Sequence, residues 1–115
     1  MMLVAKLVPA ANTRVSFSLD CGPLVPIASG CYVLTNVDGV ALYIGQSVDL
    51  SRRMEEHLGD EVKRGITPHG KAFWFYYALC SESELSSLEG AWVNAFKLAN
   101  HGQLPYLNSV NPPTP

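Results

Sequence analysis

The sequence has few charged residues, few cysteines and no long hydrophobic run. Charged residues make up 16% of the 115 positions against 48% hydrophobic residues, a balance too apolar for a disordered chain. The longest apolar run, Ala72–Cys80, is too short to cross a bilayer as a helix, so we expect no membrane contact. Lys6 and Pro9 interrupt the apolar start of the chain, unlike a secretory signal. These absences leave one compact domain, which we expect to be cytoplasmic.

Cysteine is scarce, and its spacing predicts neither a disulfide framework nor a zinc ribbon. The three cysteines lie far apart in the sequence, without a Cys-x-x-Cys pair. A small metal-binding protein is nevertheless an alternative interpretation, which co-purifying zinc would favour. Its candidate ligands are Cys21, Cys31, His57, His69 and Cys80.

Positive charge is not in excess either. Eight basic and ten acidic residues give a net charge of −2, which argues against a protein that binds nucleic acid through phosphate neutralisation alone. The segment from Val62 to Cys80 contains Lys63, Arg64 and Lys71 and no acidic residue. This segment allows a local basic surface on an acidic protein.

Two β-rich runs on either side of Asp38-Gly39 predict a β-hairpin, because Asp-Gly suits a tight turn with positive φ. The expected register places three pairs opposite each other: Leu34 and Tyr43, Thr35 and Leu42, Val37 and Val40. Since alternate residues of a strand share a face, Tyr32 and Tyr43 become diagonal neighbours on one face of the sheet.

A helix is predicted over Asp49–Leu58, with Ser47 or Asp49 as its N-cap. One face is apolar at helical spacing: Leu50, Met54 and Leu58. Arg53 and His57 fall at the edge of this face, one turn apart, whereas Arg52 falls on the opposite face. The two adjacent arginines therefore have different expected environments.

The second half of the chain predicts a strand and a longer helix. The continuous apolar run Ala72–Leu79 is typical of a central strand buried on both faces. Ser81 and Glu84 form a capping box for a helix that continues to Ala99. We expect the aromatic residues of these two elements to be core rather than a base-stacking surface: Phe73, Trp74, Phe75, Tyr76, Tyr77, Trp92 and Phe96.

Glu89 falls inside the apolar stripe of the longer helix. A carboxylate in that position is costly unless a positive group meets it, and Arg53 and Lys97 are candidate partners. The sequence thus offers two tyrosines, an arginine, a histidine and an inward carboxylate. Phosphodiester cleavage requires such groups: a proton acceptor, a phosphate ligand and a ligand for a divalent cation.

The spacing of these residues resembles the GIY-YIG nuclease family. The matching segments are Gly30-Cys31-Tyr32, Tyr43-Ile44-Gly45, Gln46-Ser47-x-Asp49-Leu50-x-x-Arg53-x-x-x-His57, Leu88-Glu89 and Pro105–Asn108. The combined spacing is far more specific than either tripeptide. Cys31 departs from the aliphatic residue usual in the first motif, and we expect it to point away from the tyrosine face.

The resemblance implies a small α/β domain: a three-stranded antiparallel sheet formed by a β-hairpin, a helix, a central strand and a second helix, with helices flanking the sheet. We expect this nuclease domain over residues 30–110. An N-terminal extension over 1–29 contains a possible edge strand at Arg14–Leu19, and residues 111–115 are expected to form a frayed tail.

The resemblance also implies a stand-alone endonuclease that cuts DNA with one Mg²⁺ or Mn²⁺ ion. Tyr43 and Tyr32 would bind and deprotonate the attacking water, and the choice between them stays open. Arg53 would hold the phosphate, and His57 would assist proton transfer or hold a phosphate oxygen. Glu89 would be the metal ligand. Asn108 would support the site.

A second interpretation is a non-catalytic nucleic-acid-binding or assembly module with the same fold. The acidic charge mildly favours it, whereas the intact set of five polar residues favours the enzyme. Because family members often carry an appended DNA-binding domain, we also expect a protein partner or weak binding of an unusual DNA structure. A monomer or weak dimer is expected.

Overall fold

A computed structural model describes the backbone of residues 2–110 and the side chains of residues 2–108. The expected tail at 111–115 lies outside the described residues. The described chain folds around one antiparallel sheet with the strand order β1-β4-β2-β3. The strands are β1 (Thr13–Ser16), β2 (Gly30–Thr35), β3 (Ala41–Ser47) and β4 (Trp74–Leu79).

The sheet has four strands rather than the expected three. The fourth is β1, which forms the sheet edge beside β4, with Val15 opposite Phe75. It begins one residue before the alternating segment Arg14–Leu19 and ends earlier, because a 3₁₀ turn starts at Leu19. The physical reason is that a central strand has backbone donors and acceptors on both edges, and β2 satisfies only one of them.

The strand β4 is central, but neither of its faces is buried along its whole length, since Leu79 at its end is also exposed. Phe75 and Tyr77 are buried, whereas Trp74 and Tyr76 are half-buried and the preceding Phe73 is 45% exposed. The expectation of a strand buried on both faces was therefore wrong, as was the assignment of Phe73 to the core. The cause is the position of the long helix, which lies over β2 and β3 and leaves part of β4 to solvent.

The hairpin forms with a different turn from the expected one. Leu34 faces Tyr43 as predicted, but Thr35 faces Ala41 instead of Leu42, with a bulge in between. The backbone N–H of Asn36 donates to Val40 at 3.1 Å, so the expected pair of Val37 with Val40 was also wrong. The Asn36 side chain accepts from two turn N–H groups and stabilises this longer loop.

Helices flank the sheet: α1 (Leu50–Leu58), α2 (Glu61–Arg64), α3 (Leu85–Ala99) and α4 (Tyr106–Val110). Asp49 caps α1 by accepting from the N–H of Arg52, as predicted. The capping box of Ser81 and Glu84 is also present, around a 3₁₀ turn that precedes α3. None of the helices that the structure describes is long and apolar enough to span a bilayer.

Two hydrophobic clusters lie on opposite faces of the sheet. One joins α1 to Tyr32, Leu34 and Phe75, and the other joins α3 to Cys31 and Val33. The alternation of β2 thus separates Tyr32 from Cys31, as predicted. The Cys31 thiol donates to the backbone carbonyl of Leu85, so this departure from the usual motif is accommodated in the core beneath α3.

Gly45 is the residue opposite Tyr32 in the hairpin, and its lack of a side chain is a steric requirement. A Cβ atom at Gly45 would lie 2.5 Å from the Tyr32 hydroxyl oxygen and 2.6 Å from its ring carbon Cζ. By contrast, a Cβ atom at Gly90 in α3 would meet no atom within 4 Å. Gly90→Ala is therefore a control for Gly45→Ala, because the same substitution causes no steric conflict at position 90.

We expect Gly45→Ala to lower the free energy of unfolding by about 1–3 kcal/mol, because the Tyr32 ring must move out of its packed position. The control Gly90→Ala should raise it by about 0.5–1 kcal/mol, because alanine favours a helix. Urea unfolding of both variants measures these changes. An unchanged stability in Gly45→Ala would contradict the steric explanation.

Candidate functional site

Tyr32 and His57 form the buried foundation of the polar site. The Tyr32 hydroxyl oxygen lies 2.5 Å from His57 Nε2, and the tyrosine ring stacks on Phe75 with centroids 5.0 Å apart. Tyr32 is 1% exposed and His57 is 6% exposed. Burial raises the pKa of Tyr32 well above its ordinary value. Both groups therefore face each other rather than solvent.

Tyr43 is the more accessible of the two tyrosines. Its ring centroid lies 6.0 Å from that of Tyr32 and 5.2 Å from that of His57, so the predicted juxtaposition of the phenols is present. Burial raises the pKa of Tyr43, while a hydrogen bond from Tyr32 and the charge of Arg53 act in the opposite direction. Tyr43 is half-buried, and it stands between the buried pair and solvent.

Arg53 lies beside the tyrosines, and Arg52 does not. The Arg53 side chain is 42% exposed and that of Arg52 is 71% exposed, in agreement with the predicted helix faces. The Nε atom of Arg53 lies 3.5 Å from a carboxylate oxygen of Glu56. Among the described side chains, this Nε is the buried donor without a hydrogen bond. The positive charge of Arg53 also lowers the pKa of His57, although burial and the charge of Lys63 are larger causes.

Glu89 projects from α3 toward the edge strand β3. One oxygen of its carboxylate accepts a hydrogen bond from Gln46 Nε2 at 2.9 Å. Its partner is thus a neutral amide, and the expected ion pair with Arg53 or Lys97 is replaced by this contact. Glu89 is half-buried, and its charge adds to the raised pKa values of Tyr32 and Tyr43, in which burial is the largest cause.

Asn108 fixes the backbone of β3 next to Tyr43. Its side-chain oxygen accepts from the Ile44 N–H at 2.9 Å, and its amide donates to the Ile44 carbonyl, also at 2.9 Å. The amide thereby takes the place of a neighbouring strand along this edge. Its contacts are with the backbone between Tyr43 and Gly45, so its role in the site is structural.

Two residues near the site were missed at the level of sequence: Gln46 and Lys63. Lys63 was placed on a basic surface, but it is 1% exposed. Its Nζ lies 4.6 Å from the ring centroid of Tyr43 and 3.8 Å from an oxygen of Asp60. The spacing of Asp60 and Lys63 was visible in the sequence, yet the burial of Lys63 depends on how α2 packs.

Gln46 directly follows the segment Tyr43-Ile44-Gly45. Since alternate residues of a strand share a face, its side chain lies on the same face of the sheet as that of Ile44.

Glu89 offers one half-buried carboxylate to a hydrated divalent cation. Hard divalent cations bind through one or two carboxylates and keep several water molecules, and a half-buried carboxylate satisfies this need. Among residues 2–110, no three His, Cys, Asp or Glu side chains form a cluster that could hold a metal ion. The cysteine and histidine ligands of the zinc interpretation therefore find no common site in this part of the chain.

The burial of the His57 imidazole predicts that the free energy of unfolding depends on pH. Burial lowers the pKa of His57 from 6.5 to about 4, and the cations of Lys63 and Arg53 act in the same direction. Between these pH values the unfolded chain binds more protons than the folded chain, so stability falls on acidification. We expect this residue to cost about 2 kcal/mol between pH 7.5 and pH 5.

The test compares urea unfolding of the parent protein and His57→Gln at both pH values. The variant should lose about 2 kcal/mol less than the parent on acidification, because contributions of the other groups cancel. Equal losses in the two proteins would show that the imidazole is not held neutral.

Comparison with known proteins identifies the family of the chain. The family model for the GIY-YIG catalytic domain matches residues 28–101. No curated protein matches the chain. The matched region covers well over half of the chain and includes both tyrosines, Arg53, His57 and Glu89, so the chain belongs to the GIY-YIG family.

Proposed function

We propose that this protein is an endonuclease that hydrolyses phosphodiester bonds of DNA with the help of one divalent cation, Mg²⁺ or Mn²⁺. The observation that carries this proposal is the mixed charge around Tyr43. A cation from α1 and a carboxylate from α3 both act on the same pair of phenols. Family membership supports a nuclease-type domain and DNA as its substrate.

Tyr43 is the proton acceptor in this proposal. The exposure of the two phenols supports this choice: Tyr32 is 1% exposed and bonded to His57, while Tyr43 is half-buried. A buried phenol cannot reach a water molecule beside a DNA strand. Tyr32 and His57 are therefore positioning residues, which hold Tyr43 in place through their ring contacts.

The reaction balances as an attack by water on phosphorus. The phenolate of Tyr43 removes a proton from the water as the new phosphorus–oxygen bond forms. The bond from phosphorus to the leaving oxygen breaks as the new bond forms, and the leaving oxygen takes the electron pair and then a proton from solvent water. Since the phenolate is the reactive form and its pKa is raised, the rate should increase with pH across the neutral range.

Arg53 is the proposed ligand of the scissile phosphate. Its side chain is 42% exposed, so a DNA phosphate can reach the guanidinium group. A guanidinium group binds phosphate through two parallel hydrogen bonds. The contact with Glu56 at 3.5 Å is partly exposed and competes weakly with such a pair.

Glu89 is the proposed ligand of the divalent cation, and Gln46 orients its carboxylate. When bound, the cation supplies positive charge against the leaving oxygen. Asn108 completes the site indirectly by fixing the backbone of β3. In this proposal, Tyr43, Arg53 and Glu89 contact the water, the phosphate and the cation. The other site residues hold these three in place: Tyr32, His57, Gln46 and Asn108.

The charge of the chain limits its affinity for DNA. A net charge of −2 provides little phosphate neutralisation, and one of the basic residues, Lys63, is buried. We therefore propose either a protein partner that supplies DNA affinity or a weakly bound, unusual DNA structure. One site in a monomer would nick a single strand, and a weak dimer could cut both.

The two adjacent arginines provide the test of this proposal. We expect Arg53→Ala to reduce Mg²⁺-dependent nicking of supercoiled plasmid by about 100-fold or more, because the phosphate loses a ligand aligned with the attack. Arg52→Ala removes the same charge from the exposed face of α1 and should retain parental activity.

Supercoiled, branched and single-stranded DNA should each be assayed with Mg²⁺, Mn²⁺ and EDTA. If the two arginine variants were equally active, the phosphate assignment would be wrong. If the parent bound DNA without cutting any substrate, the chain would instead be a binding module of the same fold.

A further inference from the structure

The short helix α2 contains one buried side chain, and it is a lysine. Glu61, Val62 and Arg64 are exposed, whereas Lys63 is 1% exposed. Burying an ammonium group is costly, and an apolar residue would fill the same space at lower cost. The position of this charge therefore requires an explanation that packing does not provide.

Asp60 holds this lysine in place with both of its carboxylate oxygens. One oxygen accepts hydrogen bonds from the N–H groups of Val62 and Lys63 and caps α2. The other lies 3.8 Å from Lys63 Nζ. The same side chain thus begins the helix and pairs with its buried cation, which fixes the direction of the ammonium group.

The ammonium group of Lys63 lies against the face of Tyr43. The distance from Nζ to the ring centroid is 4.6 Å, which is within the range of a cation–π contact. A cation at this distance interacts more strongly with a phenolate ring than with a neutral phenol, because the phenolate carries a full negative charge.

We infer that Lys63 is a positioning residue of the proposed centre, whose buried ammonium group favours the phenolate form of Tyr43 and so prepares it to accept a proton. This inference rests on the proposed function, in which Tyr43 removes the proton from water. Burial lowers the pKa of Lys63 itself, and Asp60 opposes this effect. The carboxylate thus keeps the lysine charged beside the ring.

Other groups also face Tyr43, and the test must separate them from Lys63. Two rings pack near Tyr43, Tyr32 from β2 and His57 from α1, and three charges act on it: Arg53 from α1, Asp60 at the N-cap of α2 and Glu89 from α3. The uncharged Asn108 of α4 binds the backbone of the next residue. A substitution confined to Lys63 leaves all of these in place. Methionine has a similar length without the charge, so Lys63→Met preserves most of the packing.

The experiment measures the ionisation of Tyr43 directly, without DNA or metal. Tyr43 is replaced site-specifically by 3-fluorotyrosine, and its single ¹⁹F signal is followed through a pH titration. The fluorinated phenol is more acidic than tyrosine, so its titration is shifted to lower pH. We expect Lys63→Met to raise the midpoint by at least about 0.5 pH unit, and Arg64→Met, the exposed neighbour in α2, to leave it unchanged.

Lys63→Gln provides a second test with the same sign. Glutamine also lacks the charge, and its amide can still donate to the Asp60 carboxylate that lies beside Lys63 Nζ. The midpoint should again rise above the parent value. This variant decides the matter if Lys63→Met does not fold.

Nicking assays relate the titration to activity. At neutral pH, Lys63→Met should be at least about 3-fold slower than the parent, because a midpoint shift of half a unit reduces the phenolate population by that factor. A midpoint in Lys63→Met that coincides with the parent value would overturn the inference. A shifted midpoint without any nicking by the parent would count against the proposed function alone.

Discussion

The buried contact between the Tyr32 hydroxyl and His57 Nε2 is the constraint on which the rest of the site depends. It joins the central strand β2 to α1 across the hydrophobic cluster, at a distance of 2.5 Å. Such a polar pair in an apolar setting is tolerated only when both groups are satisfied. It requires a glycine at position 45, and it places Arg53 one turn earlier on the same helix, next to Tyr43.

The surroundings of Tyr43 balance two opposing demands. A phenol that accepts protons must ionise, but burial disfavours the charged form. Two cations near the phenol oppose the effect of burial: Arg53 from α1 and Lys63 from α2. Because Arg53 is partly exposed, a chain with a net charge of −2 can still offer positive charge to a phosphate, whereas the buried Lys63 acts on the ring of Tyr43.

Much of this arrangement could be predicted from local sequence patterns. Strand alternation placed Tyr32 and Tyr43 on one face, and helical period distinguished Arg53 from Arg52. Alternation over Arg14–Leu19 indicated a possible edge strand, but its bounds and its pairing with β4 depend on the assembled sheet. The hairpin keeps the predicted pairing of Leu34 with Tyr43 and shifts by one residue only beside the turn. There the Asn36 side chain stabilises a longer loop, which the Asp-Gly pair alone does not indicate.

The charge environment could not be predicted, since it depends on tertiary packing. The sequence allowed Lys63 to lie on a basic surface. In the structure the packing of α2 buries Lys63, and its ammonium group lies against the ring of Tyr43. The sequence also offered Arg53 and Lys97 as candidate partners of Glu89, whereas the hydrogen bond to this carboxylate comes from Gln46 of the edge strand. Both cases concern long polar side chains. Such a side chain can reach several partners, and the tertiary fold determines which partner it contacts.

The central claim is that the hydroxyl of Tyr43 takes part in cutting DNA. The most direct measurement is the rate of supercoiled plasmid nicking by Tyr43→Phe in Mg²⁺, with EDTA as the blank and Tyr76→Phe as the control. Tyr76 carries its hydroxyl on the opposite face, bonded to Arg14. The account predicts a loss of about 100-fold or more in Tyr43→Phe and a parental rate in Tyr76→Phe. Nicking by Tyr43→Phe at the parental rate would contradict it.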